Sequence, residues 1–169
     1  DVYEAVKESM SLLKDFKFDS DDKVLLKISC VTAAYPYQAV NTNPEVIDAI
    51  LKILYEFEVK KENIIVCEQA LIGSDGTDAA AKSGILEVCK KHGISFVDIA
   101  KAEFVDLEKG GFTFNIYKEA LKRKVINVPV MKTNFQLGIS GAVENLSRLL
   151  SPQNQRKMYA EDFNSLISK

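Results

Sequence analysis

The stretch Val24-Leu25-Leu26-Lys27-Ile28-Ser29 decides the fold that the sequence predicts. It is an almost wholly apolar run between an acidic turn at 18–22 and a polar loop at 31–43, which is typical of a strand buried in a parallel sheet. The loop ends in Thr42-Asn43-Pro44-Glu45, where a polar capping residue, a proline and an acid predict the start of a helix to about residue 58. A buried strand followed by a helix is the repeating unit of α/β proteins.

The same alternation continues along the chain. Short apolar runs predict further strands, and helical spacing predicts further helices. The predicted strands are 64–67, 95–99 and 125–128, and the predicted helices are 1–16, 78–91, 142–150 and 152–167. The remaining segments predict an antiparallel excursion over 102–116 that turns at Lys109-Gly110-Gly111, a short helix or turn over 117–123, and a loop over 132–141. We expect one α/β domain over residues 1–169, with three layers and a mainly parallel central sheet that has helices on both faces.

The composition argues against several classes of function. The chain has 169 residues, 47% hydrophobic and 27% charged, with a net charge of −2. These values are typical of a globular domain and exclude disorder. A binder of nucleic acid or of a membrane surface would be strongly basic, so we expect neither partner. The sequence has no apolar run of about 18 residues, which predicts that nothing crosses a membrane.

Cysteine usage and known motifs limit the chemistry further. Cys30, Cys67 and Cys89 are far apart and form no CxxC pair, which predicts a reducing, cytoplasmic location and no cofactor held by this chain. GxGxxG and GxxxxGK[ST] are both absent, so the expected fold is Rossmann-like without the dinucleotide fingerprint. The chain starts at Asp1, inside an amphipathic stretch, which predicts a fragment of a longer protein.

Polar residues gather where the predicted strands end. Ligands of open parallel sheets bind beyond the carboxyl ends of the strands, so these residues are the candidates for a site. They include a lysine inside the first strand, an acid that ends the second, and a polar segment after the fourth. The candidate ligand-binding residues are Lys27, Glu68, Lys132, Thr133, Asn134, Gly138, Gly141 and Asn145. They predict a cleft for a small anionic or polar ligand.

Each candidate also has a plainer interpretation. Lys27 either packs its stem while its head reaches water, or it binds an anion or pairs with Glu68. Glu68 either orders a loop or belongs to the site. Lys132, with the two residues after it, is either a solvated loop or part of a pocket. In the plainest interpretation, Glu68 neutralises one lysine, the other is solvated, and nothing binds.

Several segments together resemble a known family. Val24–Ser29 is similar to its first strand, and Thr42–Ile47 to its Thr-x-Pro-Glu-Val helix start. Ile64–Glu68 with the later Ser83-Gly84-Ile85 is similar to a strand ending in Gly-Asp/Glu and a Thr-Gly-Ile. Ile126–Asn134 is similar to a strand followed by Pro-x-x-Lys-Thr-His, and Gly141–Leu146 to a Lys-Asn helix start. The chain thus resembles the domain of unknown function 362 family.

The resemblance implies an α/β fold and an association with iron–sulfur proteins. Any cluster is then expected in a missing segment or a partner. Three departures from the family motifs bear on the site: Ser29 replaces an expected Asn, Asn134 an expected His, and Glu144 an expected Lys. If these groups bind an anion or a metal in the family, the site is lost or altered here.

Two other functions stay open at this point. The domain is either a partner of an iron–sulfur electron-transfer system, or a metal-assisted hydrolase or transferase in which Glu68, Asp75 and Asp98 hold Mg²⁺. No pair of side chains is diagnostic of a nucleophile and its base, so no reaction is assigned. We also expect a homodimer, or a missing C-terminal part, to cover an unpaired edge of the sheet.

Overall fold

The structure is a computed structural model and describes residues 1–14 and 16–160. Within these residues, the helices are α1 (Val2–Ser11), α2 (Pro44–Glu56), α3 (Gly76–Lys82), α4 (Ile85–His92), α5 (Ala142–Ser147) and α6 (Pro152–Ala160). The strands are β1 (Val24–Ile28), β2 (Ile64–Glu68), β3 (Ser95–Asp98), β4 (Phe104–Lys109), β5 (Phe112–Tyr117), β6 (Lys124–Val128), β7 (Lys132–Asn134) and β8 (Gly138–Ser140).

In the described part of the chain, four strands form one parallel sheet in the order β3-β2-β1-β6. These are the four predicted strands, and the parallel pairing is confirmed. The register sets Lys27 of β1 beside Cys67 of β2 on one side and beside Asn127 of β6 on the other. The carboxyl ends of all these strands therefore meet at one edge, which we call the carboxyl edge.

The strand order explains the layers. The steps from β1 to β2 and from β2 to β3 move in one direction, so right-handed crossovers place their helices on one face. The chain then returns to the far side of β1 to form β6, and the order of the strands switches between β1 and β6. Such a switch point is where ligands of open α/β sheets bind.

Each face of β1 belongs to a separate core. Leu26 and its neighbours on that face pack with buried residues of α2, including Ile47 and Leu51. Leu25, on the opposite face, packs with a cluster that includes Leu149, just after α5. The β4–β5 hairpin adds Tyr117 to this second core. The expected three-layer α/β architecture is therefore confirmed.

Local chemistry accounts for most element boundaries. Asn43 caps α2 by accepting a hydrogen bond from the amide of Glu45, and Pro44 occupies the first turn, as predicted. The antiparallel excursion is confirmed as β4 and β5, which join through Gly110 and Gly111. The short helix or turn predicted over 117–123 is a 3-10 helix at Lys118–Leu121.

Several predicted boundaries differ from the structure, and the helix predicted over 142–150 is α5, which ends at Ser147. The single helix over 78–91 is two helices, because Gly84 between them has a φ of +75°, which ends a right-handed helix. The loop over 132–141 contains the antiparallel pair β7–β8. The first helix ends at Ser11 rather than at 16. Of the helix predicted over 152–167, the structure describes α6 over Pro152–Ala160, and the residues beyond 160 lie outside the described part.

Strand β6 lies at the edge of the sheet, beside a groove of about 860 Å³ between α1, α2 and β6. The expectation that a second copy or a C-terminal part covers this edge stays a prediction. Among the described residues, no helix has both the length and the apolar character needed to cross a membrane.

The parallel sheet predicts the effect of a core substitution. Leu26→Ala should lower the free energy of unfolding by about 2–5 kcal/mol, because Leu26 is fully buried and its loss leaves a cavity. The measurement is urea unfolding followed by circular dichroism. Val125→Ala on β6, where the side chain is 37% exposed, is the control and should cost much less. Equal losses for both variants would contradict the assigned core.

Candidate functional site

Lys27 is fully buried, and its ammonium is satisfied by protein groups. Its Nζ donates hydrogen bonds to Glu68 Oε1 at 2.8 Å, to Asn145 Oδ1 at 3.0 Å and to the carbonyl of Ile28 at 2.8 Å. An ammonium has three protons, so each has an acceptor. The interpretation in which the head of Lys27 reaches water is therefore wrong, and the lysine pairs with Glu68.

Glu68 connects this ion pair to the loops of the carboxyl edge. Its Oε1 also accepts the amide of Gln69 at 2.6 Å, and its Oε2 accepts the amide of Cys30 at 2.7 Å. One carboxylate thus holds the first residue after β2 and the second residue after β1. Glu68 therefore orders the loops after β1 and β2 and pairs with Lys27, whereas its place in a ligand site stays a prediction.

Asn145 joins α5 to the switch point. Its Nδ2 donates to Asn127 Oδ1 at 2.7 Å and to the carbonyl of Lys27 at 3.3 Å. Its Oδ1 accepts from the Lys27 ammonium, so all of these contacts fix its amide orientation. Asn145 therefore ties the helix to both strands that flank the switch point.

Thr42 closes the loop that follows β1. Its hydroxyl accepts the amide of Ser29 at 2.9 Å and donates to the carbonyl of Val128 at 2.9 Å. The end of β1, the end of β6 and the start of α2 are thus joined by one side chain. This arrangement holds Ser29 at the switch point with its hydroxyl available to another group.

Lys132 is the group that uses the Ser29 hydroxyl. Its Nζ donates to Ser29 Oγ at 3.0 Å and to the carbonyl of Val40 at 3.2 Å. No carboxylate among residues 1–14 and 16–160 lies within 4.0 Å of this ammonium. Burial lowers the pKa of Lys132, although Glu144 and Glu68 partly offset that effect. Lys132 is therefore a half-buried cation held by neutral oxygens.

A second buried ion pair joins Glu144 of α5 to Arg148, the residue that follows this helix. Arg148 Nε and Nη2 approach Glu144 Oε1 at 3.0 and 2.9 Å, and both side chains are buried. Ser140 and Tyr159 also donate to this carboxylate, at 2.8 Å each. Burial raises the pKa of Glu144, but Arg148 and the two hydroxyls outweigh it, so the net pKa is below the usual value.

The other predicted residues lie on the β7–β8 hairpin or next to it. Thr133 is exposed and points to the opposite face from Lys132, because consecutive side chains of a strand alternate. Asn134 Oδ1 accepts the amides of Gln136 and Leu137, which makes it a turn residue. Gly138 has a φ of +75° at the start of β8.

Gly141 borders open space. Apart from Gly141 and its two chain neighbours, no heavy atom of the described residues lies within 4 Å of the position where a Cβ would stand. Of the predicted residues, the structure thus brings Lys27, Glu68 and Asn145 into direct contact, with Lys132 adjacent through Ser29. The hairpin residues Thr133, Asn134 and Gly138 do not take part in that contact.

The three carboxylates of the Mg²⁺ hypothesis each have a cationic neighbour. Glu68 bonds Lys27, whereas Lys101 contacts Asp75 at 2.7 Å and Asp98 at 3.4 Å. Within the described residues, no group of three His, Cys, Asp or Glu side chains is placed to hold a metal ion. The metal-assisted function stays a prediction.

The cysteines at the strand ends are buried thiols. Burial raises the pKa of both Cys30 and Cys67 to about 12, so neither is a thiolate near neutral pH.

Sequence reasoning missed Asn127, Arg148 and Gln69. Gln69 is buried, and its amide nitrogen donates to the carbonyls of Arg148 and Leu150. Arg148 donates to the Gln69 carbonyl in return, at 3.4 Å. The i,i+4 spacing of Glu144 and Arg148 was the one available signal for this second pair.

Comparison with known proteins gives a match to one protein family and to no individual protein. The family model described as a domain of unknown function, DUF362, matches residues 24–169. No match was found among curated proteins, and none among solved structures.

The buried ion pair predicts a strong effect of Lys27→Met. The variant should lose about 3–5 kcal/mol of unfolding free energy, because Glu68 is left buried without its cation. Lys27→Met combined with Glu68→Gln should lose less than the two single losses added together, because no charge remains unpaired. Denaturant unfolding measures the free energy of unfolding of Lys27→Met, of Glu68→Gln and of the double variant.

Lys60→Met provides the matched control, since Lys60 pairs with Asp21 on the surface. It should change stability hardly at all, because exposed pairs are screened by water. A Lys27→Met loss no larger than that of the control, or strict additivity in the double variant, would contradict the buried pair.

Proposed function

Because this chain belongs to the DUF362 family, a domain of unknown function, we propose its role from its own site: it binds a small anion at the carboxyl edge of the sheet. Lys132 is the principal ligand, and Ser29 and the backbone next to Gly141 complete the pocket. Lys27, Glu68 and Asn145 position these groups. The anion is a phosphate or carboxylate group of a small molecule.

The observation that carries this proposal is the environment of the Lys132 ammonium. It is half-buried and bonded to a hydroxyl and a carbonyl, without a carboxylate in ion-pair range among the described residues. Partial burial penalises a charge that has no counter-ion. A bound anion removes that penalty. Anion binding at Lys132 is therefore more favourable than anion binding at a fully exposed lysine.

The position of Lys132 supports the same conclusion. It lies beside the switch point between β1 and β6, where ligands bind in open α/β sheets. Its neighbours Lys27 with Glu68 and Arg148 with Glu144 are neutral as pairs. Of these groups, Lys132 is therefore the one whose positive charge is left to attract a ligand.

The surrounding groups suit an oxyanion. The Ser29 hydroxyl is held at hydrogen-bond distance from Lys132, and a hydroxyl can rotate to donate to an incoming oxygen. The open space at Gly141 leaves room next to the backbone of the hairpin.

We infer in addition a cytoplasmic location, since Cys30, Cys67 and Cys89 are free thiols. The iron–sulfur partner role stays a prediction.

Phosphate binding tests the proposal directly. Isothermal titration of the whole chain with inorganic phosphate should give saturable binding, and Lys132→Ala should weaken it by about 1.5–3 kcal/mol, the usual worth of a charged hydrogen bond. Lys109→Ala is the control, because Lys109 lies at the distant β4–β5 turn. Absent binding, or equal weakening by both variants, would refute the proposal.

The lowered pKa of Lys132 predicts how anion affinity depends on pH. A bound anion favours the protonated amine and raises its pKa again, so affinity should be full below the lowered pKa and fall as pH rises through it. Sulfate is the better probe here, because it does not titrate in the alkaline range. Lys132→Arg should bind sulfate with little pH dependence, since guanidinium stays protonated. A wild-type profile as flat as that of the arginine variant would contradict the role of Lys132.

A further inference from the structure

A stacked pair of tyrosines stands in the loop that follows β1. The rings of Tyr35 and Tyr37 are parallel within 10°, with centroids 5.7 Å apart, which is offset stacking. Tyr37 is 83% exposed, so most of its ring is in contact with solvent. An aromatic ring this exposed contributes little to the core, and its surface is open to a ligand.

The loop holds this pair in a defined place. The residues Pro36–Gln38 form a 3-10 helix, and the amide of Tyr35 donates to Gln38 Oε1 at 2.8 Å. Lys82 Nζ lies 4.8 Å from the centre of the Tyr35 ring, which is a cation–π contact. The plane of the stack is therefore set before any ligand arrives, which reduces the entropy cost of binding.

The stack lies close to the proposed anion site. The carbonyl of Val40 accepts a hydrogen bond from the Lys132 ammonium, and Val40 follows Tyr37 by three residues. Three residues of chain span at most about 10 Å. The tyrosine stack and the Lys132 ammonium therefore border the same short loop, so one small molecule with an aromatic ring and a phosphate has both groups within the same segment to contact.

The charges near the stack favour an anion over a neutral aromatic. Lys82 and Lys132 both border this loop, and neither has a carboxylate within 4.0 Å in the described part of the chain. A ligand that combines a planar ring with a negative group uses both features at once.

We propose that the ligand of the Lys132 site is a small aromatic anion of the mononucleotide type, whose ring stacks on Tyr37. This inference rests on the proposed anion-binding function and names its ligand class. The phosphate lies at Lys132, and Lys82 adds positive potential beside the ring. Stacking on tyrosine accepts any flat ring, so the class is wider than one base.

The test titrates the whole chain with AMP, with inorganic phosphate, and with adenosine, which should bind more weakly than AMP because it lacks the phosphate. AMP should bind more tightly than phosphate by about 5- to 100-fold, which is the usual contribution of one stacked base. Tyr37→Ala should bring AMP affinity down to the phosphate level and leave phosphate binding unchanged. Tyr37→Phe should keep the AMP affinity, because the ring remains.

Phe135→Ala is the matched control, since Phe135 is a fully exposed aromatic on the β7–β8 hairpin and takes no part in the stack. It should leave AMP affinity unchanged. Tyr37 is exposed, so its variants should fold, and circular dichroism checks that they do.

The outcomes separate the two proposals. AMP no tighter than phosphate, or weakened equally by Tyr37→Ala and Phe135→Ala, overturns the aromatic ligand and leaves anion binding at Lys132 intact. Loss of AMP binding in Lys82→Ala but not in Lys132→Ala overturns the placement of the phosphate. Tighter, Tyr37-dependent binding of an oligonucleotide than of AMP overturns the small-molecule class. If neither phosphate nor AMP binds to the wild type, both proposals fail.

Discussion

The ion pair between Lys27 and Glu68 is the interaction on which the whole carboxyl edge depends. A lysine in the central strand of a parallel sheet is costly to bury, and it is accommodated here because each of its protons has an acceptor. Glu68 in turn uses both oxygens to hold the amides of Cys30 and Gln69. The ion pair therefore also sets the path of the chain after β1 and after β2. A purely apolar centre would pack as well, but it would leave these loop amides without that acceptor.

The same interaction decides which charge a ligand can meet. Lys27 and Glu68 cancel each other, and Arg148 and Glu144 form a second buried pair at the end of α5. Lys132 lies between these pairs without a carboxylate of its own within ion-pair range in the described residues. The electrostatic character of the site thus follows from what has been neutralised around it. An anion at Lys132 completes the charge balance of the edge, whereas a cation there meets an uncompensated ammonium.

The sheet could be predicted from the sequence because each strand is a short apolar run bounded by polar turns. This pattern depends only on residues that are neighbours in the sequence. The sequence also identified Lys27 and Glu68, since a charge inside or directly after such a run is conspicuous. Asn127 and Arg148 were missed because their roles depend on contacts across the switch point, which local pattern does not contain. The β7–β8 hairpin was missed because its strands have three residues each, too few to show alternation. Gly84 was visible in the sequence, but its left-handed conformation, which divides α3 from α4, was not.

The departures from the family motifs have different structural consequences. Ser29 keeps a polar group at the end of β1, and its hydroxyl now accepts a hydrogen bond from Lys132. Asn134 forms the turn of the hairpin and holds two backbone amides, so it is occupied with local structure. Glu144 reverses the expected charge, but Arg148, four residues later at the end of α5, compensates for it. Because Glu144 is paired with Arg148, the reversal does not neutralise Lys132. The cationic character of the edge is therefore preserved at Lys132, and the proposed anion recognition depends on that one lysine.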